Sequence, residues 1–227
     1  MYTRRISRSI LRLGLLATLL VLALSACGGG GSAQEEVKAR PLPEDPKALR
    51  PSEYRSTEFK PSFSFRVGKG WRTSSEFPQV SDKLAITRGE YDPPRLLIFR
   101  NPQEVFKYTK NGTTPEVVKA PKDMVGWFQH HPYLDTEKPE PATVGGVKGL
   151  QFDWIVSEDA PYDEITLFRY TDGSDGSAGK GFKYRAIILE DVEGKMVTIG
   201  IGSLAIEFDD LLHEAQEVLD TVKWAGS

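Results

Sequence analysis

The 227-residue chain has few of the side chains that most often carry out catalysis. It contains one cysteine, Cys27, and three histidines, His130, His131 and His213. A single cysteine excludes an intramolecular disulfide, so an exported form of the chain depends on an ordinary hydrophobic core. So few histidines leave little material for acid–base chemistry near neutral pH. The sequence also has no Gly-x-Ser-x-Gly elbow and no Walker-type phosphate loop, which disfavours a familiar esterase or phosphotransferase. We expect no cofactor.

One long apolar run is present, close to the N-terminus. Four arginines at positions 4, 5, 8 and 12 come before it, and residues 13 to 24 carry no charge. A basic segment followed by an apolar one is typical of an export signal. The run is short for a membrane span, which takes about 20 apolar residues. We therefore predict a cleaved signal peptide over residues 1 to 26.

The apolar run ends in Leu24, Ser25, Ala26 and Cys27, followed by glycines. This order resembles the lipobox of bacterial lipoproteins. The resemblance implies that Cys27 is alkylated by a diacylglycerol carrying chains such as palmitate and becomes the first residue of the mature protein. Two acyl chains hold a protein stably on a membrane, whereas one does so only marginally. The predicted location is the cell membrane, with the domain facing the extracytoplasmic side.

The chain after the predicted signal is acidic and divides into two parts. Cleavage before Cys27 removes four arginines, which leaves 25 Lys and Arg against 32 Asp and Glu, a net charge of −7. Such a surface has no bulk attraction for nucleic acid. Residues 27 to 57 are rich in glycine, proline and charge, which predicts a flexible tether. Residues 58 to 227 have the length of one globular domain.

The pattern of residues 58 to 227 favours strands with two helices. Short apolar runs with period-two alternation predict strands, and Asn111-Gly112 and Gly145-Gly146 are typical of hairpin turns. A short helix is predicted over residues 120 to 131, ended by Pro132. A long C-terminal helix is predicted over residues 205 to 224, with one apolar stripe formed by Phe208, Leu211, Leu212, Ala215, Val218, Leu219 and Val222.

These elements predict the α+β class. The expected architecture is a mostly antiparallel, twisted sheet with the long C-terminal helix and the short middle helix packed on it.

His130 and His131 are the first candidates for a metal or catalytic site. Adjacent residues on a helix point about 100° apart, so the pair cannot easily share one ion. If the helix ends at His130, one of the two rings could reach an acid such as Asp135. The favoured alternative is that His131 caps the C-terminus of the helix, where a cation is stabilised. A metal held by His130, His131 and Asp135 is the weaker hypothesis.

Two polar loops and the tryptophans have plainer interpretations. The acids Glu158, Asp159, Asp163 and Glu164 are typical of a solvated loop. Residues 171 to 181 fail the EF-hand pattern and predict a flexible hairpin loop. All four tryptophans are expected in the core: Trp71, Trp127, Trp154 and Trp224.

Two resemblances cover parts of the domain. In residues 121 to 153 an Asp, a Trp, an apolar residue and His-Pro are followed by Val-Gly-Gly, which resembles a segment of uncharacterised secreted bacterial modules. More remotely, a strand ending in Gly70-Trp71, a Val-Gly-Gly hairpin and a final helix with a Val-Lys-Trp tail are similar to the PsbP-like fold. That fold occurs in lumenal photosystem II accessory proteins and related bacterial lipoproteins. The resemblance implies an accessory or binding role and carries over no functional residue.

Two functions follow as hypotheses. The favoured one is a non-enzymatic binding or accessory module of the cell envelope. Its partners would be the membrane, through Cys27, and an unknown protein or small ligand. The alternative is a metal-dependent or acid–base enzyme that uses His130, His131 and the acids of residues 158 to 164.

Overall fold

A computed structural model describes residues 39 to 89, 95 to 109 and 114 to 226. The predicted signal peptide, Cys27 and the turn at Asn111-Gly112 lie outside these ranges. No helix within them is long and apolar enough to cross a membrane.

The described part of the chain consists mainly of strands. The elements in chain order are β1 (Arg40–Pro41), β2 (Ser52–Arg55), β3 (Phe63–Val67), β4 (Trp71–Arg72), β5 (Lys83–Arg88), β6 (Arg95–Arg100), β7 (Glu104–Lys107), β8 (Glu116–Lys119), α1 (Met124–Gln129), β9 (Leu134–Thr136), β10 (Glu140–Val144), β11 (Val147–Val156), β12 (Glu164–Arg169), β13 (Asp175–Gly179), β14 (Phe182–Val192), β15 (Lys195–Leu204), a 3₁₀ turn (Ala205–Glu207), α2 (Phe208–Leu219) and β16 (Lys223–Trp224).

The strands form three sheets. The largest has the order β10-β11-β14-β15-β6-β5-β4, with β9 paired to the far end of β11. A second sheet has the order β1-β2-β3-β16, and a third has the order β13-β12-β7-β8. Among the described strands only β1 and β2 pair in parallel. The predicted hairpin at Gly145-Gly146 is confirmed, because both glycines have positive φ and β10 and β11 pair across them.

The core lies on both faces of the largest sheet, because successive side chains of a strand point to opposite faces. Ile187 and Leu189 of β14 belong to a cluster with β3, β5 and the buried face of α2. Ala186 and Ile188 belong to a second cluster with α1, β7 and β12. The large sheet is therefore the middle layer of the domain.

The predicted α+β class with a long C-terminal helix is wrong. The described chain is mostly β, and its two α-helices have 6 and 12 residues. The apolar stripe predicted for the C-terminal helix is confirmed as far as Leu219. Beyond it, the Thr221 hydroxyl donates to the carbonyl of Val218 at 2.7 Å and accepts the Arg66 amide at 2.8 Å. The chain then continues as β16 beside β3, because this pairing buries Val222 and Trp224 in the core.

Two segments expected to be irregular contain regular structure. Part of the predicted tether is packed on the domain, because β1 and β2 pair with each other and Leu42, Leu49 and Tyr54 are buried. The predicted loop over residues 171 to 181 contains β13. Its turn is fixed by Lys83, whose Nζ lies 3.4 Å from the Asp172 carboxylate. Composition does not reveal these contacts, since they join residues far apart in sequence.

Candidate functional site

An open pocket of about 290 Å³ lies between α1, the residues that follow it, and the β7–β8 pair. We call it the His131 pocket. Its described lining residues are Lys107, Tyr108, Val118, Lys119, Pro121, Trp127, His130, His131 and Pro132. The volume is just below the range for small-molecule sites, which begins at about 300 Å³.

The helix α1 forms one wall of the pocket and begins and ends within two turns. The Asp123 carboxylate accepts the Gly126 amide at 2.7 Å, which is an N-cap. Met124 and Phe128 anchor the helix in the core, whereas Trp127 is only half-buried and faces the pocket. At the other end, His130 Nδ1 donates to the Gly126 carbonyl across 2.7 Å. Because the helix ends here, the next residue turns out of helical register.

His131 is the polar group at the base of the pocket. Its side chain is buried, with 6% of the residue exposed. The ring centroid lies 5.3 Å from those of both Tyr108 and Trp127, in edge-to-face contacts. Nδ1 accepts the Tyr133 amide at 3.2 Å, and Nε2 is buried without a hydrogen-bond partner among the described residues.

The burial of His131 fixes its protonation state. Desolvation lowers the pKa of the ring from 6.5 to about 4, so the imidazole is neutral near pH 7. Since Nδ1 accepts a hydrogen bond, the proton of the neutral ring is on Nε2. A buried donor without a partner is uncommon and costs about 1–3 kcal/mol. His131, a lining residue of the pocket, therefore carries one buried N–H donor that no described residue satisfies.

The walls of the pocket are flat and apolar, and its rim is basic. Tyr108 and Trp127 supply aromatic rings beside two prolines. Burial raises the pKa of Tyr108, partly offset by hydrogen bonding to Thr166, so its phenol stays protonated. Lys107 and Lys119 are exposed, and no described lining residue is acidic.

The predicted metal site is not assembled by this geometry. His130 is exposed and its Nδ1 is engaged with a backbone carbonyl, whereas His131 is buried in an aromatic setting. Asp135 is exposed on β9, opposite Ile155 of β11. Within the described ranges no group of three or more His, Cys, Asp and Glu side chains is placed to hold a metal. The expectation that His131 caps the helix is also wrong, because His130 makes that contact.

The acidic loop predicted to be solvated is exposed at all four acids and at Tyr162. Three of the four tryptophans are in the core, as predicted: Trp71, Trp154 and Trp224.

The pocket itself was not predicted from the sequence. Tyr108, Lys107 and Lys119 come from the β7–β8 pair, and Trp127 and His131 come from the α1 segment. No motif joins these positions. The one usable signal was the sequence Trp127 to Pro132, where aromatic and imidazole rings are concentrated next to a helix stop.

A second cavity of about 40 Å³ lies on the large sheet beside Gly200 and Gly202. A Cβ atom at Gly202 would lie 2.5 Å from the Tyr184 ring, so glycine allows that ring to lie against β15. Tyr184 stacks on Trp154 with centroids 4.3 Å apart, and burial raises the pKa of Tyr184 to about 12. This cavity is far too small for an organic ligand.

Comparisons with known proteins do not identify a family. No protein-family model matches the sequence. No curated protein matches it. A crystal structure of LpqN, described as involved in cell envelope biogenesis of Mycobacterium tuberculosis, is similar over 79% of this chain and 90% of that chain. The identity is 13% and the TM-score is 0.38, so the likeness has no weight for the fold or function of this chain.

Proposed function

We propose that the protein is a lipid-anchored, extracytoplasmic module of the cell envelope that binds a small organic ligand in the His131 pocket. The observation that carries the binding function is the buried Nε2 of His131, which no described residue satisfies and whose ring lines an aromatic pocket. Proteins rarely leave a buried donor without a partner, and a ligand acceptor would supply one.

The membrane anchor is supported by the sequence alone. The basic segment, the uncharged run of residues 13 to 24 and the Leu24-Ser25-Ala26-Cys27 order occur in the arrangement of a lipoprotein signal. In a bacterial host, we expect radiolabelled palmitate to be incorporated into the wild-type chain and not into Cys27→Ser. The Cys27→Ser chain should also retain its signal. Labelling of Cys27→Ser at the wild-type level would contradict the anchor.

Binding is favoured over acid–base catalysis by the state of His131. With a pKa of about 4, the ring is a poor base near neutral pH. No described lining residue supplies a carboxylate as a second acid or base. What the pocket offers is a fixed donor, flat apolar walls and two ammonium groups, which are the features of a recognition site.

The binding function is tested by blocking the pocket. Val118 lines the pocket from the strand β8 and is partly buried, so Val118→Trp should fill the space while keeping a residue suited to a strand. We expect at least one of three planar probes, 1-naphthoate, 1-naphthamide and 1-naphthol, to give saturation-transfer NMR signals with the wild type. These signals should be lost in Val118→Trp. A thermal unfolding curve checks that the variant is folded. Equal signals from both folded proteins would overturn the assignment of the pocket.

A further inference from the structure

We propose that the His131 pocket takes a planar organic anion of the aromatic carboxylate class. This inference rests on the proposed binding function and assigns the chemistry of its ligand. It is carried by three properties of the pocket: the direction of its buried hydrogen bond, the shape of its walls and the sign of its charge.

The buried hydrogen bond requires an acceptor on the ligand. His131 Nδ1 is occupied by the Tyr133 amide, so Nε2–H is the hydrogen-bonding group of this pocket-lining ring that no described residue satisfies. An ammonium or a second N–H donor would leave this group unsatisfied. A carboxylate oxygen is the strongest common acceptor, because a hydrogen bond to an ionised group is about twice as strong as one between neutral groups.

The walls favour a flat body. Trp127 and Tyr108 each present a ring in edge-to-face contact with His131, 5.3 Å from it between centroids. Pro121 and Pro132 add apolar surface without backbone donors. Aromatic rings stack favourably on such walls in offset or edge-to-face geometry. The volume of about 290 Å³ suits a single small ring system.

The charge at the rim favours an anion. Lys107 and Lys119 are the two lysines among the described lining residues, and both are exposed. Neither makes an ion pair with a described residue, although each lies opposite a glutamate in the β7–β8 ladder, Lys107 opposite Glu116 and Lys119 opposite Glu104. The whole chain is negative, with a formal net charge of −3, so this basic rim stands against the overall sign of the protein. Its attraction is therefore local and short in range.

The test compares three probes by isothermal titration calorimetry on the full-length chain in a neutral detergent, with a protein-free micelle blank. The probes are 1-naphthoate, its neutral amide 1-naphthamide, and cyclohexanecarboxylate, an anion without a flat ring. We expect 1-naphthoate to bind at least tenfold more tightly than either of the other two probes. It alone combines an acceptor for Nε2–H, a flat ring for the aromatic walls and a negative charge for the two lysines.

Two variants assign the preference to the pocket. Lys107→Gln/Lys119→Gln should lower the affinity for 1-naphthoate about three- to tenfold and leave that for 1-naphthamide unchanged. His131→Asn retains an acceptor for the Tyr133 amide but loses Nε2–H, and it should lower the affinity for 1-naphthoate about tenfold or more. Lys138→Gln/Lys148→Gln removes two exposed lysines outside the pocket and serves as the charge-matched control.

The outcomes separate the two proposals. Binding of 1-naphthamide as tight as that of 1-naphthoate would overturn the anionic class and leave the binding function standing. Equal binding of cyclohexanecarboxylate would overturn the planar requirement. If no probe binds, both the ligand class and the binding function fail. If Lys138→Gln/Lys148→Gln weakens the binding of 1-naphthoate as much as Lys107→Gln/Lys119→Gln does, the effect is a general one of charge and the rim has no specific role.

Discussion

Burial of His131 makes the stability of the domain depend on pH in a defined window. The pKa of the folded-state ring is lowered from 6.5 to about 4 by desolvation, whereas the unfolded chain takes up a proton near 6.5. Between these two values the unfolded state binds more protons than the folded state. The free energy of unfolding therefore rises with pH. The contribution is fully present above about pH 6.5 and is lost as the pH falls towards about 4.

The size of the effect follows from the two pKa values. Their separation corresponds to at most ~3 kcal/mol, and ~2 kcal/mol of that is lost between about pH 7.5 and about pH 5. With 6% of the residue exposed, little solvent screening reduces this figure. A small domain has only about 5–15 kcal/mol of stability in total, so the loss is measurable.

The assay is guanidinium unfolding followed by tryptophan fluorescence at both pH values. The reference is His131→Asn, whose side-chain oxygen can accept the Tyr133 amide but does not titrate. Other groups titrate alike in both proteins, so the wild type should lose ~2 kcal/mol more than His131→Asn on acidification. His213→Asn is the control, because the side chain of His213 is 81% exposed, and it should follow the wild type. Equal losses in wild type and His131→Asn would show that the folded ring takes up its proton freely and that the pocket base is not desolvated.

Two further changes test the elements that hold the pocket and the large sheet. Asp123→Ala removes the N-cap of α1 and should lower the free energy of unfolding by ~1 kcal/mol, whereas Asp123→Asn should retain most of the stabilisation by the cap. Denaturant titration gives the free energy of unfolding of both variants. Equal free energies for the two variants would rule out the cap. At the β10–β11 turn, a Cβ atom in Gly146→Ala meets no described neighbour, so this variant should lose ~1 kcal/mol of stability from its positive φ alone. Gly145→Ala also places a Cβ atom 2.7 Å from Trp224 Nε1 and should lose ~3 kcal/mol. Thermal unfolding of this matched pair gives the difference, and similar losses would show that the Trp224 contact relaxes.

Elements defined by local patterns were predictable from the sequence, and elements defined by distant pairing were not. The hairpin at Gly145-Gly146 follows from its turn residues, and the stripe on α2 follows from helical spacing. The end of α2 does not, because helical spacing also fits Val222. The pairing of Lys223 and Trp224 with β3, some 160 positions earlier in the chain, decides the conformation instead. For the same reason β1 and β2 were hidden in a proline-rich segment whose composition is typical of a tether.

In the candidate site, too, the sequence predicts one feature and leaves another open, within a few residues. The sequence indicates His130 and His131 as candidate site residues but does not predict which of the two rings is exposed. The helix α1 ends at His130, whose ring and backbone both bond to the last turn, so that ring is held at the surface. His131 is the first residue beyond the helix, and its ring turns inward onto Tyr108 and Trp127. Because the helix stops at His130, the imidazole of His130 caps the helix and the imidazole of His131 is buried as a donor. The chemistry of the pocket depends on that one-residue difference, and so a ligand that binds there should be sensitive to His131 and indifferent to the ring of His130.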